Sequence, residues 1–214
     1  DNARAIRDSL SGDIFEALNS AHLDLSRGLA LSGSPGVALY KVLERLLVVN
    51  GVIDWTMPRD EAYRFMGIGK ELERIDMIGR LLAVRHDQLW PTAGPLATLR
   101  AAGALSAFLR TGAPINGEEV RNFLVLDATF PRSMRSCAAD AEDAVRHLDR
   151  LGIGDGGALL REVGMLRSSL EYATNPTAAN VDRLASEARQ AAVRASDEVN
   201  RAFFRQHGTI VWSH

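Results

Sequence analysis

Arg59, Met66, Glu73 and Arg80 recur every seven positions. At about 100° per residue they fall along one line of a single helix, with Ala62, Gly69 and Asp76 beside it. Glu61 and Arg74 add one more acid and one more guanidinium to the same stretch. Two chemistries suit such a set. The guanidinium forks of Arg59, Arg74 and Arg80 match a phosphate or a carboxylate, while Glu73, Asp76 and Glu61 would position it, share a cation, or move a proton. Alternatively the groups neutralise one another: Asp76 pairs with Arg80 at i, i+4 and Glu73 meets a basic group on a neighbouring helix, which fixes how the helices pack. A packing network needs the two signs in roughly equal number. A site for a charged ligand should leave one sign in excess.

Arg132 and Ser133 form a second candidate, because donors at the positive end of a following helix make an anion seat. The other reading of Asp127, Arg132 and Ser133 is a set of helix and turn caps. Cys137, the single cysteine, has no base within reach in the sequence and reads as a small core residue rather than a nucleophile. His22, His86, His147, His207 and His214 are scattered without a Glu-x-x-His or zincin spacing, so no metal and no cofactor is expected. Gly67-Ile68-Gly69 lies inside a helical pattern with no strand before it, which excludes a dinucleotide fingerprint.

The elements that must position these groups are helices. Helix punctuation dominates, and runs of β-branched residues long enough for a strand are nearly missing. Ser34-Pro35 opens a segment through Val37, Leu39, Tyr40, Leu43, Leu46 and Leu47. Met57-Pro58-Arg59-Asp60-Glu61 opens the longest helix, which carries the charged line and a core stripe of Phe65, Ile68, Leu72, Ile75, Gly79 and Leu82, and which Pro91 ends. On this geometry Glu73 and Asp76 sit at the border of the core. Gly67, Gly69 and Gly79 each weaken the helix by roughly 1 kcal/mol relative to alanine, so a second helix or a ligand is expected against its backbone. Pro95 starts the next helix, Asn116 with Glu119 caps a short one reaching Leu126, and Thr129-Phe130-Pro131 starts one that runs to Leu151 and stops at Gly152. Asp155 and Asn175-Pro176 begin the last two. The final helix has an alanine-rich stripe of Val181, Leu184, Ala188, Ala191, Ala195, Val199 and Ala202, whose partner should approach closely. The fold expected is all-α, a multi-helix bundle of about eight or nine helices in one domain over 1–214.

With 214 residues, 46% hydrophobic and 24% charged, the chain suits a packed core without disulfides or metal. No apolar run approaches the roughly 18 residues of a membrane span, and the polar start Asp1-Asn2-Ala3-Arg4 does not read as a signal peptide, so a cytoplasmic location is expected. A net charge of −2 from 25 basic and 27 acidic groups removes bulk attraction to nucleic acid.

Three segments, taken in order, carry a family resemblance. They are Asp1-Asn2-Ala3-Arg4-Ala5-Ile6-Arg7 with Phe15-Glu16-Ala17-Leu18-Asn19; Gly51 to Leu82, with Arg59-Asp60-Glu61, Gly69, Leu72-Glu73-Arg74 and Arg80-Leu81-Leu82; and Phe123 to Asp127 with Phe130-Pro131-Arg132-Ser133 and Cys137. The combination resembles the bacterial alpha-E domain, a helical family named for its Glu-Arg motif, clearly over 1–150 and loosely over 151–214. The resemblance implies an earlier Leu-Gly-Arg-x-Leu-Glu-Arg copy upstream of Asp1, so the chain is expected to start part-way through a duplicated architecture; Glu142 to Leu148 echoes the start of the chain in the same sense. It also implies association with ATP-grasp and transglutaminase-like proteins.

Two functions are therefore expected. One is a non-catalytic helical module that acts with an ATP-grasp or transglutaminase-like partner in making or processing peptide-like amide bonds. The other is an enzyme or substrate-binding subunit for that chemistry centred on Glu73 and Arg74. The alanine-rich C-terminal stripe leaves a homo-oligomer open, and neither nucleic acid nor a membrane is expected as a partner.

Overall fold

The computed structural model describes residues 4, 7, 10–31, 35–152, 156–173 and 177–204. Within them every regular element is helical and none is a strand. The expected all-α architecture is present. The chain divides into two compact units, Asp1–Tyr63 and Arg64–His214.

In the first unit, α1 (Gly12–Leu31) and α2 (Pro35–Thr56) pack on each other. Ile14, Val49 and Met57 are buried, and Arg45 on α2 holds Asp24 on α1 at 2.6 Å. Most of α2 remains uncovered: Leu39, Tyr40, Leu43, Leu46 and Leu47 share one exposed face, and Val37, Val48 and Trp55 are exposed beside it. Ser34, the expected cap of α2, and most of Asp1 to Ser9 lie outside the described residues, so the internal echo is not placed.

The long helix α3 (Glu61–Ala83) begins later and ends earlier than its sequence suggests. Pro58 and Arg59 precede it, and Asp60 supplies the capping oxygen to the Tyr63 N–H at 3.2 Å. The expected run to Pro91 breaks after Ala83, because Arg85 adopts a left-handed conformation (φ 57°). A guanidinium–carboxylate contact of 2.7 Å between Arg85 and Asp182 holds it there, against the cost that region imposes on a residue with a Cβ. A single helical turn, α4 (His86–Leu89), follows.

Next come α5 (Gly94–Ala101), with Pro95 in its first turn as expected, α6 (Leu105–Leu109) and α7 (Gly117–Leu126). Asn116 caps α7 by accepting the Glu119 N–H at 2.9 Å. The helix expected to start at Thr129 starts instead at Met134 and runs to Arg150 as α8. Asp127 explains the delay: its Oδ1 accepts the N–H groups of Thr129 and Phe130, a local turn that competes with helix. Gly152, at φ 68°, ends the segment in the conformation glycine tolerates best.

The last helices are α9 (Gly157–Glu171) and α10 (Ala178–Val199). Thr177 caps α10; Asp155 and Asn175-Pro176, the starts expected from sequence, lie outside the described residues. Val181, Leu184, Ala188, Ala191 and Ala195 are buried, where α10 packs on α7 and α9. A π-helical turn, Asn200–Phe204, continues it. The core of this second unit joins Ile68, Leu72 and Ile75 of α3 to Leu99, Phe108, Leu124, Met134, Leu148, Val163 and the α10 alanines. No helix among the described residues is long and apolar enough to cross a membrane.

Candidate functional site

Helix α3 buries a wider arc than its apolar stripe alone. Taking Ile68 as the centre and about 100° per residue, Glu71 and Asp76 flank the stripe on opposite sides. Both are buried, at 4% and 8% exposure. Glu73 lies one step further out and is exposed. The acid expected at the centre therefore faces outward, without an ion-pair partner among the described residues, and Glu71, two positions earlier, takes the place beside the core. Arg74 donates to both Glu71 carboxylate oxygens, at 2.9 and 3.0 Å, and Lys70 Nζ lies 3.4 Å from one of them. The i, i+3 spacing of Glu71 and Arg74 was the available signal.

Asp76 meets the expected Arg80 at 2.6 Å and also Arg189 of α10 at 2.8 Å. Burial alone would raise its carboxyl, but hydrogen bonds and charge from the two arginines prevail and hold it below the ordinary range. A Cβ built on Gly79 would lie 3.0 Å from the Arg189 side chain, so the second helix expected against the α3 backbone is present there. At Gly67 and Gly69 that expectation fails: nothing lies within 4 Å of an added Cβ.

Gly69 opens instead onto a cavity of about 360 Å³ between α3 and α10. Its apolar walls include Phe65, Ile68, Leu72, Ala192, Val199 and Phe204. Glu73, Asp76, Arg80, Ser196 and Asp197 supply its polar lining. Phe65 meets Phe203 edge-on at 4.9 Å and Phe204 at 5.7 Å, so the π-helical turn Asn200–Phe204 packs beside the cavity wall. Three of the residues expected at a site, Glu73, Asp76 and Arg80, thus share one concavity. Arg74 points to Glu71 rather than into it.

Arg59 and Glu61 belong to the first unit. Arg59 donates to the Asp54 carbonyl at 2.7 Å and lies over the Tyr63 ring at 4.0 Å, while Glu61 is exposed in the first turn of α3.

The expected anion seat at Arg132 and Ser133 resolves into caps. Ser133 is fully buried; its hydroxyl donates to the Asp127 carbonyl and accepts the Ser136 N–H at 3.0 Å. Its one proton is therefore engaged within the fold. The Arg132 guanidinium lies against Gly103. Cys137 is a buried core residue. Burial, then the neighbouring Glu71 carboxylate, push its thiol far above the ordinary range, which removes the thiolate that nucleophilic chemistry needs.

A third buried acid went unnoticed in the sequence. Glu142 on α8, 4% exposed, receives Arg146 Nε at 3.0 Å and, from α9, Arg167 Nη1 at 2.9 Å. Burial opposes its ionisation, yet these two arginines hold the carboxyl below its usual range. The i, i+4 pair Glu142–Arg146 was legible; the Arg167 contact required the fold. No group of three or more His, Cys, Asp or Glu residues with metal-binding geometry occurs among the described residues.

No curated protein and no solved structure matches the chain. A family model does: Alpha-E, described as a predicted alpha-helical domain with a conserved ER motif, matches residues 1–204. Adjacent Glu-Arg pairs occur in this sequence at Glu44-Arg45 and Glu73-Arg74. With the helical fold described above and a match over nearly its whole length, the chain belongs to the Alpha-E family.

Proposed function

We propose that the chain is a non-catalytic helical module that works in the bacterial cytoplasm with an ATP-grasp or transglutaminase-like partner, presenting a peptide-like substrate for amide-bond formation or processing. The observation that carries the non-catalytic part is the state of the buried acids. Glu71, Asp76 and Glu142 each engage cationic side chains, and the one thiol is buried and protonated, so these groups serve packing rather than proton transfer or attack. The exposed apolar face of α2 supports a protein partner. Its five leucine and tyrosine side chains and neighbouring Trp55 exceed the scattered apolar residues ordinary on a monomer.

The test is affinity capture from the source cell with identification of what is bound. An ATP-grasp or transglutaminase-like protein retained by the wild-type chain, and lost with Leu43→Asp and Leu47→Asp, is the expected result. A monodisperse chain with no affinity for such a protein overturns the reading. The second reading, a substrate-binding subunit or enzyme centred on Glu73 and Arg74, is favoured by one observation, the cavity on which Glu73 borders.

A further inference from the structure

The cavity between α3 and α10 has the excess of one sign that a self-satisfied network lacks. Three acids line it, Glu73, Asp76 and Asp197, against one base, Arg80. Asp76 is neutralised by Arg80 and Arg189, and Arg80 is the one guanidinium among the described lining residues. The charge left without an ion-pair partner among them is negative. Glu73 and Asp197 are exposed at the rim and have no ion-pair partner among the described residues. The same lining carries Ile68, Leu72, Val199 and the Phe65–Phe204 contact, and the open backbone at Gly69 leaves room for an occupant. At about 360 Å³ the space lies at the lower end of small-molecule pockets, which run from roughly 300 to 1,000 Å³.

We propose that this groove binds a primary ammonium carried on an apolar arm, a lysine side chain within a short peptide being the fitting class. The methylene arm lies on the apolar walls while the ammonium meets Glu73 and Asp197 at the rim, the division by which long cationic side chains cover apolar surface. A lysine presented this way offers its amine to amide-bond chemistry. The inference thus rests on, and deepens, the presenting role proposed above, by naming the part of the substrate the chain holds.

The probe is N-acetyl-Phe-Lys-amide, titrated by NMR or calorimetry against the chain alone, with its Nε-acetyl-lysine counterpart as the uncharged control. The expected result is binding of the ammonium form at least about tenfold tighter than the acetylated one, weakening with salt. Glu73→Gln and Asp197→Asn should each weaken it several-fold. Gly69→Leu, which fills the cavity from a position with open space around it, should abolish binding with the helical circular dichroism and melting temperature retained. Equal binding of the two peptides, no binding of either, or binding indifferent to Gly69→Leu overturns the proposal. Loss of amine selectivity with partner capture intact sinks this inference alone. Selectivity without any partner sinks only the presenting role.

Discussion

Glu142 shows how asymmetric a buried ion pair is. The acid is nearly inaccessible, while Arg146 and Arg167 keep 55% and 38% of their side chains in contact with solvent. Removing the acid leaves cations that water can reach; removing both cations strands a carboxylate in the core. Arg146→Ala with Arg167→Ala should therefore destabilise by about 3 kcal/mol or more, and Glu142→Gln by only about 1 kcal/mol, in urea unfolding at neutral pH. Equal losses would mean that the carboxylate is better hydrated than its burial implies. At this scale sequence reading was half right. It placed Asp76 with Arg80 from spacing alone, and it took Glu73 for Glu71. On the same wheel Glu71 lies about 60° from Ile68 and Glu73 about 140°, so the core stripe favours Glu71; the seven-residue line of charges drew the reading to Glu73 instead.

At the scale of the element, the glycines of α3 separate into two kinds that composition does not distinguish. Gly69 borders empty space and Gly79 carries the Arg189 side chain against it. Gly69→Ala should raise stability by about 1 kcal/mol through helix propensity. The same change at Gly79 meets the Cβ and Cδ of Arg189 at 3.0 Å, so it should lose that gain or turn it into a loss. Thermal melts of the two single variants decide the point. Element starts set by local chemistry, such as Asn116 before α7, could be read directly from the sequence. The break after Ala83 could not, since a left-handed arginine carries no composition signal and depends on Asp182, nearly a hundred positions away. The start of α8 was read four or five residues early, because Asp127 first winds a turn of its own.

For the whole molecule, an all-helical architecture was evident from punctuation and the lack of strand-forming runs, and the family assignment rests on nearly the full length of the chain. The groove was not evident, since it arises where two helices distant in sequence part from one another. Near-balanced charge, net −2, predicts no salt-dependent retention on duplex DNA; a steep fall in binding between low and moderate salt would contradict this. The wide turn at Asn200–Phe204 has its own consequence. A π-helical turn is an α-helix holding about one residue more than its pitch requires. Deleting one residue there, Asn200 for instance, would let the segment wind as regular α-helix and leave Phe204 on the face toward Phe65, whereas adding one would turn it by about 100°. Here the number of residues matters in one direction: the segment should tolerate the loss of one residue better than the gain of one.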